Sequence, residues 1–331
     1  MLVSILIPAY NAERWIGETI ASALNQTWPA KEIVVVDDGS SDGTLAVARR
    51  FASRHVQVVT QDHAGASAAR NRALAEAQGA YVQWLDADDL LARTKISAQL
   101  DADRDRGGPG TLLSSAFGMF YWRPGKAKFV RTAIWEDLEP LDYLLRSFSQ
   151  NLWMSPAAWL VRRDLTEWAG PWDERLSLND DGEYFCRVVS VSERVQFVAD
   201  ARCYYRQSGS AQLSRTFDRR ALQSFALSLS LSVDGLLSLE DSSRTRLAAL
   251  QFVEHSSPYF NPHSIDLLEP LADRLGGVIR VPPTNLKGRI ARAVLGEDLG
   301  ARVVTTGKKA RLVTAVIWDR LCYRLTPTFP L

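Results

Sequence analysis

The segment Tyr81-Val82-Gln83-Trp84-Leu85-Asp86-Ala87-Asp88-Asp89 passes from an apolar stretch into three carboxylates within four residues. Asp86 and Asp88 are two apart, so an extended chain turns both to the same side. Two carboxylates held that close repel each other unless a cation lies between them. Oxygen ligands suit Mg²⁺ or Mn²⁺, ions that favour phosphate oxygens as their remaining ligands. The spacing therefore points to a metal-bridged diphosphate at the end of a strand. The alternative is a solvated turn with an aspartate helix cap. The cluster alone leaves both open.

The elements that must position these carboxylates are legible upstream. Residues 2–7 form a continuous apolar run, as a buried parallel strand does. Asn11 can cap a helix that carries Ile16, Ile20 and Leu24 on one face. Residues 32–36 are a Val-rich second strand. The stretch 37–44 is turn chemistry ending in a helix cap, followed by a helix at 45–53 and a strand at 56–60. A third helix over 67–77 is terminated by Gly79, and residues 80–85 form the fourth strand. This alternation predicts an α/β fold with a mostly parallel central sheet flanked by helices. Ligands in such sheets sit outside the carboxyl ends of the strands. Residues 8–11, Asp37 with Asp38, and 86–89 all fall at such ends.

Beyond Gly107-Gly108-Pro109-Gly110 the pattern loosens. Strands are expected at 112–122, 129–133 and 157–161, helices at 138–148 and 182–191, and a final pair of strands at 196–198 and 202–205. From about residue 213 onward the periodicity is mainly helical, with a break at Val281-Pro282-Pro283.

Four motifs in order now resemble a known family. Val3-Ser4-Ile5-Leu6-Ile7-Pro8-Ala9-Tyr10-Asn11-Ala12 is followed by Val34-Val35-Val36-Asp37-Asp38-Gly39-Ser40-Ser41-Asp42-Gly43-Thr44, then Gly65-Ala66-Ser67-Ala68-Ala69-Arg70-Asn71, then the aspartates at 86–89. Together they resemble the family 2 glycosyltransferases of the GT-A fold, over about residues 2–206. The resemblance implies a GT-A-type nucleotide-binding domain at 1–212, with a nucleotide half at about 1–106 and an acceptor half at about 107–212. A mainly helical C-terminal region at 213–331 lies outside it. It further implies a nucleotide site at Pro8, Ala9, Tyr10, Asp38, Arg70, Asp86 and Ala87. Asp88, sharing with Asp86, would hold the metal, Mn²⁺ or Mg²⁺. Asp89 and the 39–44 turn read as structural, and His63 as a loop residue.

Sugar transfer needs a base for the acceptor hydroxyl, and a carboxylate is the usual one. The stretch from Gly170 to Tyr184 resembles the family's second acidic motif, with Asp180-Asp181 where Glu-Asp is common. The retained second position makes Asp181 the expected base. The alternative is that both aspartates only favour a helix N-terminus. Tyr204-Tyr205-Arg206-Gln207-Ser208 resembles the closing segment but lacks its His; either Arg206 or a serine substitutes, or the metal has fewer protein ligands. Trp153, Trp159, Trp168 and Trp172 cluster in sequence; flat rings suit sugar faces or a core. Trp153, with Asp180, is the expected acceptor contact.

A net charge of +1 over 331 residues gives no electrostatic case for nucleic acid. Three cysteines without metal spacing fit a reducing compartment. The opening apolar run is short and lacks a basic flank, so it reads as a strand rather than a signal peptide. No run of 18 apolar residues occurs, so no membrane span is expected. Lys308, Lys309 and Arg311 precede an apolar stretch to 325 that either lies on a membrane surface or docks on the catalytic domain. The expected activity is inverting, metal-assisted transfer of a sugar from a nucleoside diphosphate donor, UDP by default, to a glycan or lipid-linked hydroxyl. The expected place is the cytoplasm or the inner face of its membrane. Two other readings stay open: a nucleotide-sugar-binding module without activity, and a nucleotidyltransferase.

Overall fold

The Val- and Ile-rich runs pair as a parallel sheet. Strands β1 (Val3–Ala9), β2 (Lys31–Asp38), β3 (Val56–Gln61) and β4 (Tyr81–Trp84) stand in the order β3-β2-β1-β4, and β8 (Val161–Arg162) adds antiparallel beside β4. The structure is a computed structural model and describes residues 1–207, 218–260 and 264–279, with 319, 320 and 323. Helices α1 (Ile16–Leu24), α2 (Thr44–Arg49) and α3 (Ala66–Glu76) make the crossovers. Ile5, Ile7, Val34 and Val36 are fully or almost fully buried, as expected when helices cover both faces.

Two punctuation marks work differently from the sequence expectation. Asn11 does not cap α1; Trp15 holds that position. Asn11 instead adopts φ 48, and its side-chain oxygen accepts the Ser41 amide at 2.9 Å. Short polar side chains tolerate that left-handed backbone, so the residue serves the loop. Gly79 does not terminate α3, which already ends at Ala77 in extended conformation. Its role is close approach: a Cβ there would stand 2.5 Å from the Ser4 amide nitrogen.

A second sheet, ordered β5-β9-β6-β7, joins β5 (Leu90–Leu91), β6 (Thr111–Phe120), β7 (Lys128–Phe129) and β9 (Arg194–Arg206). The expected pair of strands at 196–198 and 202–205 is one strand. A register shift opposite Ser115 and Ala116 absorbs Ala199, Asp200 and Ala201 between them. The expected strand at 157–161 is mostly a 3₁₀ turn, Pro156–Ala158, leading into β8. Only Phe129 of the expected 129–133 strand pairs, in β7.

Helices α4 (Lys95–Arg106), α5 (Pro140–Gln150), α6 (Arg163–Ala169) and α7 (Asp180–Val191) complete this half. The C-terminal region is helical as expected, with α8 (Arg219–Leu239), α9 (Ser243–Ser256) and α10 (Glu269–Arg274) described. By length and apolarity α8 alone among the described helices could cross a membrane. Here it packs on α7: the Ser177 amide donates to the Ser224 hydroxyl at 2.7 Å, and the Asn179 amide group to Ser228 at 3.1 Å. The break at 281–283 lies outside the described residues. So does the stretch 308–325 apart from Asp319, Arg320 and Tyr323, which lie against Trp122, Arg123 and Glu18.

Candidate active site

The register of the first sheet brings three expected segments to one edge. Ala9 stands beside Asp37, and the Leu85 amide donates to the Leu6 carbonyl, so the ends of β1, β2 and β4 are neighbours. Strand order reverses between β1 and β4, the position at which open α/β sheets bind ligands. Pro8, Ala9 and Tyr10, at the end of β1, and Asp86, Ala87 and Asp88, after β4, therefore lie at the crevice of that switch point.

Asp38 is buried and heavily used. It accepts the Ala64 and Gly65 amides, each at 2.9 Å, and the Gln61 side-chain amide at 2.7 Å. It also shares a 2.8 Å hydrogen bond with His63 Nδ1. Those contacts pin the loop that opens α3, where Gly65 takes φ 99. His63 in turn stacks on half-exposed Tyr10, centroids 4.1 Å apart and planes within 18°. His63, read from sequence as a loop residue, thus forms part of a flat surface beside Asp38.

Arg70 joins the two halves of the site. Its guanidinium is almost entirely buried and donates to Asp86 at 2.9 Å and to Asp180 at 2.5 Å. It lies 4.3 Å above the Trp172 ring, which is itself stacked on Tyr184 at 4.0 Å. Next to it, Asn71 exchanges hydrogen bonds of 2.9 and 2.8 Å with the Trp172 backbone. Burial works against the charge of Arg70, but Asp180, Asp86 and Asp181 outweigh it and hold the cation more firmly. The acidic end of β4 and the acidic start of α7 are therefore one constellation, although 94 positions separate Asp86 from Asp180 (180 − 86).

The acidic loop is gripped through its backbone. Thr19 of α1 donates to the Ala87 carbonyl at 2.9 Å, and Arg206 of β9 donates through Nε to the Asp88 carbonyl at 2.7 Å. Asp89 is fully buried and accepts the Arg206 amide at 2.8 Å and the Ser155 hydroxyl at 3.3 Å. Burial, then Asp88 and Asp86, push its carboxyl well above the usual range. Asp89 is structural, as expected, but it fastens β9 rather than capping a helix. Asp86 and Asp88 remain partly exposed. Among the described residues no group of three or more His, Cys, Asp or Glu could hold a metal. Two carboxylates with diphosphate oxygens and water do fit Mg²⁺ or Mn²⁺, which are commonly held in that way.

Asp181 is the second residue of α7, after Asn179 at φ 55. Its Oδ1 accepts the Gly182 amide at 2.9 Å. Burial first, then Asp180 and Asp86, push its carboxyl up to about 7, with Arg70 and the Gly182 amide pulling the other way. A base with that affinity for protons is matched to neutral pH. Tyr205 was not singled out from sequence. Its largely buried phenol is pushed up by burial and then by Asp89, Asp86, Asp181 and Asp88, which places it among the acidic residues. Trp153, 47% exposed, meets Tyr205 edge-on at 5.3 Å and lies 4.8 Å from Phe117. Trp159 and Trp172 are core residues, and Trp168 is exposed.

Residues 4–165 match the sequence model of glycosyl transferase family 2. That match takes in 162 of the 331 residues, and over it the chain is similar to glycosyltransferases of this family. The chain is 30% identical over 216 residues to the uncharacterized glycosyltransferase EpsJ of Bacillus subtilis, a match covering 62% of this chain and 61% of EpsJ. It is 41% identical over 100 residues to WfgD of Escherichia coli, a UDP-Glc:alpha-D-GlcNAc-diphosphoundecaprenol beta-1,3-glucosyltransferase, covering 30% of this chain and 40% of that one. The matches with several of the curated relatives span only about two-fifths of those proteins. Among solved structures, Staphylococcus aureus TarS 1–349 in complex with UDP-GlcNAc has a TM-score of 0.66 at 19% identity, covering 89% of this chain and 82% of that one. The mannosyltransferase PcManGT from Pyrobaculum calidifontis, in complex with GDP-Man and Mn²⁺, has a TM-score of 0.54 at 20% identity, covering 97% and 84%. The chain thus shares its α/β fold with both.

Proposed function

We propose that this protein transfers a sugar from a nucleoside diphosphate sugar to an acceptor hydroxyl with inversion. The observation that carries the reading is the Arg70 bridge, with Asp86 on one nitrogen and Asp180 on the other, beside an Asp181 whose carboxyl is pushed up to about 7. Residues 1–212 would carry the chemistry, and α8 braces the start of the base helix through Ser224 and Ser228.

The base of the donor stacks at Tyr10, next to Asp38. Asp86 and Ala87 border the ribose and diphosphate. Asp88 and Asp86 would hold Mn²⁺ or Mg²⁺, which when bound offsets charge growing on the departing diphosphate. Asp181 removes the proton from the acceptor hydroxyl. That oxygen attacks the anomeric carbon as the carbon–diphosphate bond breaks, and a single in-line displacement of this kind inverts the centre. Trp153 and Asp180 line the acceptor side. The names of WfgD and TarS support a UDP-sugar donor and a glycan or lipid-linked acceptor, and work on a lipid-linked acceptor would take place at the inner face of a membrane.

Calorimetry with UDP and GDP, each with and without Mn²⁺, tests the donor side, because a ligand of the native state also raises its apparent stability. Mn²⁺-dependent binding of one nucleotide is expected. Absence of binding by either would overturn the reading. Mass-spectrometric detection of donor hydrolysis separates an enzyme from a mere binding module.

A further inference from the structure

Near the C-terminus, Asp319, Arg320 and Tyr323 meet the catalytic half at one seam. Trp15, which opens α1, and Trp122, which follows β6, are almost buried with centroids 5.2 Å apart. The Arg14 guanidinium covers both rings, at 4.8 and 4.2 Å. The Tyr323 ring stands 5.5 Å from Trp122 and 6.4 Å from Trp15, and Arg320 lies 5.3 Å over Trp122. Asp319 accepts the Trp122 amide at 3.1 Å and Arg123 Nε at 2.6 Å.

The polar end of this contact leads into the acidic loop. The Tyr323 hydroxyl donates to one oxygen of Glu18, and the other oxygen accepts Arg206 Nη2 at 2.6 Å. Arg206 is fully buried, and it is the residue that grips the Asp88 carbonyl at 2.7 Å and Asp89 at 2.8 Å. The Glu18 side chain is 35% exposed. A glutamate so placed divides its time between water and its arginine. A phenol donating to it and a ring covering it favour the arginine, and hydrogen bonds in such a chain strengthen one another.

We propose that Asp319, Arg320 and Tyr323 form a C-terminal clasp that positions the acidic loop at 86–89 for the donor diphosphate, acting through Glu18 and Arg206. The inference rests on the reading of that loop as the diphosphate site. Groups that orient metal-binding carboxylates from behind typically change affinity 10- to 100-fold. Tyr323 acts one residue further back, so a smaller effect is expected.

The test is calorimetric titration of UDP with Mn²⁺ into the full chain and its variants. Tyr323→Phe keeps the ring and removes only the donor. It is expected to weaken UDP–Mn²⁺ binding by roughly three- to tenfold, with an unfolding midpoint within a degree or two of wild type. A purely structural contact would move the midpoint instead. Asp319→Asn, which loses the charge pairing with Arg123, is expected to weaken binding in the same direction. In a Glu18→Ala background Tyr323→Phe is expected to add nothing, because the route is already cut. Wild-type affinity in Tyr323→Phe, or an undiminished effect in the Glu18→Ala background, would overturn the clasp while leaving the donor site standing. Failure of the wild-type chain itself to bind UDP or GDP would overturn both.

Discussion

At the scale of single residues, the site works by holding like charges together. Asp181 keeps its proton up to about pH 7 in the folded chain, against an ordinary value of 3.8. Its folded value lies above its unfolded one, so the native state binds more protons between those limits and loses stability as pH rises through them. Asp181→Asn removes that penalty. The variant is expected to melt higher than wild type at pH 8, by on the order of 1 to 3 kcal/mol, and to converge with it below pH 4. The same change is expected to lower turnover about 10²- to 10⁴-fold while UDP binding persists. For the wild type, kcat/KM should rise as pH passes through about 7, where Asp181 ionises. Arg70 supplies the counter-charge. Arg70→Met leaves Asp86 and Asp180 with no buried cation between them and is expected to cost about 3 to 5 kcal/mol. Urea unfolding of wild type and variant at one pH measures that loss.

At the scale of elements, the loop that carries Asp86 and Asp88 is fixed by its neighbours rather than by its own sequence. Helix α1 holds the Ala87 carbonyl and β9 holds that of Asp88, so the carboxylates are presented by a backbone held on both sides. The strand that delivers them depends on a close approach. The Gly79 amide donates to Ser4 Oγ at 2.7 Å, and a Cβ at residue 79 would meet the Ser4 amide nitrogen at 2.5 Å and the Tyr81 carbonyl at 2.9 Å. Both are backbone atoms of paired strands, so neither can step aside cheaply. Gly79→Ala is expected to destabilise the fold by about 1 to 3 kcal/mol in urea titration. Activity should fall with it, because β1 and β4 flank the crevice.

At the scale of the whole molecule, one buried lysine marks the junction between the halves. Lys95 of α4 is fully buried, donating to the Gln83 side chain of β4 and to the Trp159 carbonyl at 3.1 Å. Burial lowers its ammonium to about 7. With the folded value below the unfolded one, the unfolded chain binds more protons between about pH 7 and 10, so this residue's contribution to stability rises with pH across that window. Lys95→Met removes the dependence. The stability difference between wild type and this variant is expected to shift toward wild type from pH 7 to 10, measured by chemical unfolding at each pH. The C-terminal helices are tied to the same unit, since Asn179, which opens α7, is bonded to Ser228 of α8.

Much of the protein could be read before its structure. The four parallel strands, their crossovers and the placing of Pro8, Asp38 and Asp86 at carboxyl ends follow from apolar runs and turn residues, because local sterics and burial set those patterns within a few residues. A motif singled out Asp181, and the fold sets it where Asp180, Asp86 and Arg70 act on its carboxyl. What the chain could not disclose alone are pairings between distant positions. Arg70 is expected from the motif in the nucleotide site; only the fold reveals that its two terminal nitrogens hold Asp86 and Asp180. His63, Tyr205 and Glu18 carried no pattern of their own, and they matter through what folding sets beside them: Tyr10, the acidic cluster and Arg206. Periodicity reports which face of an element is covered. The partner it meets there, and hence the charge each carboxylate carries, is fixed only when the layers close.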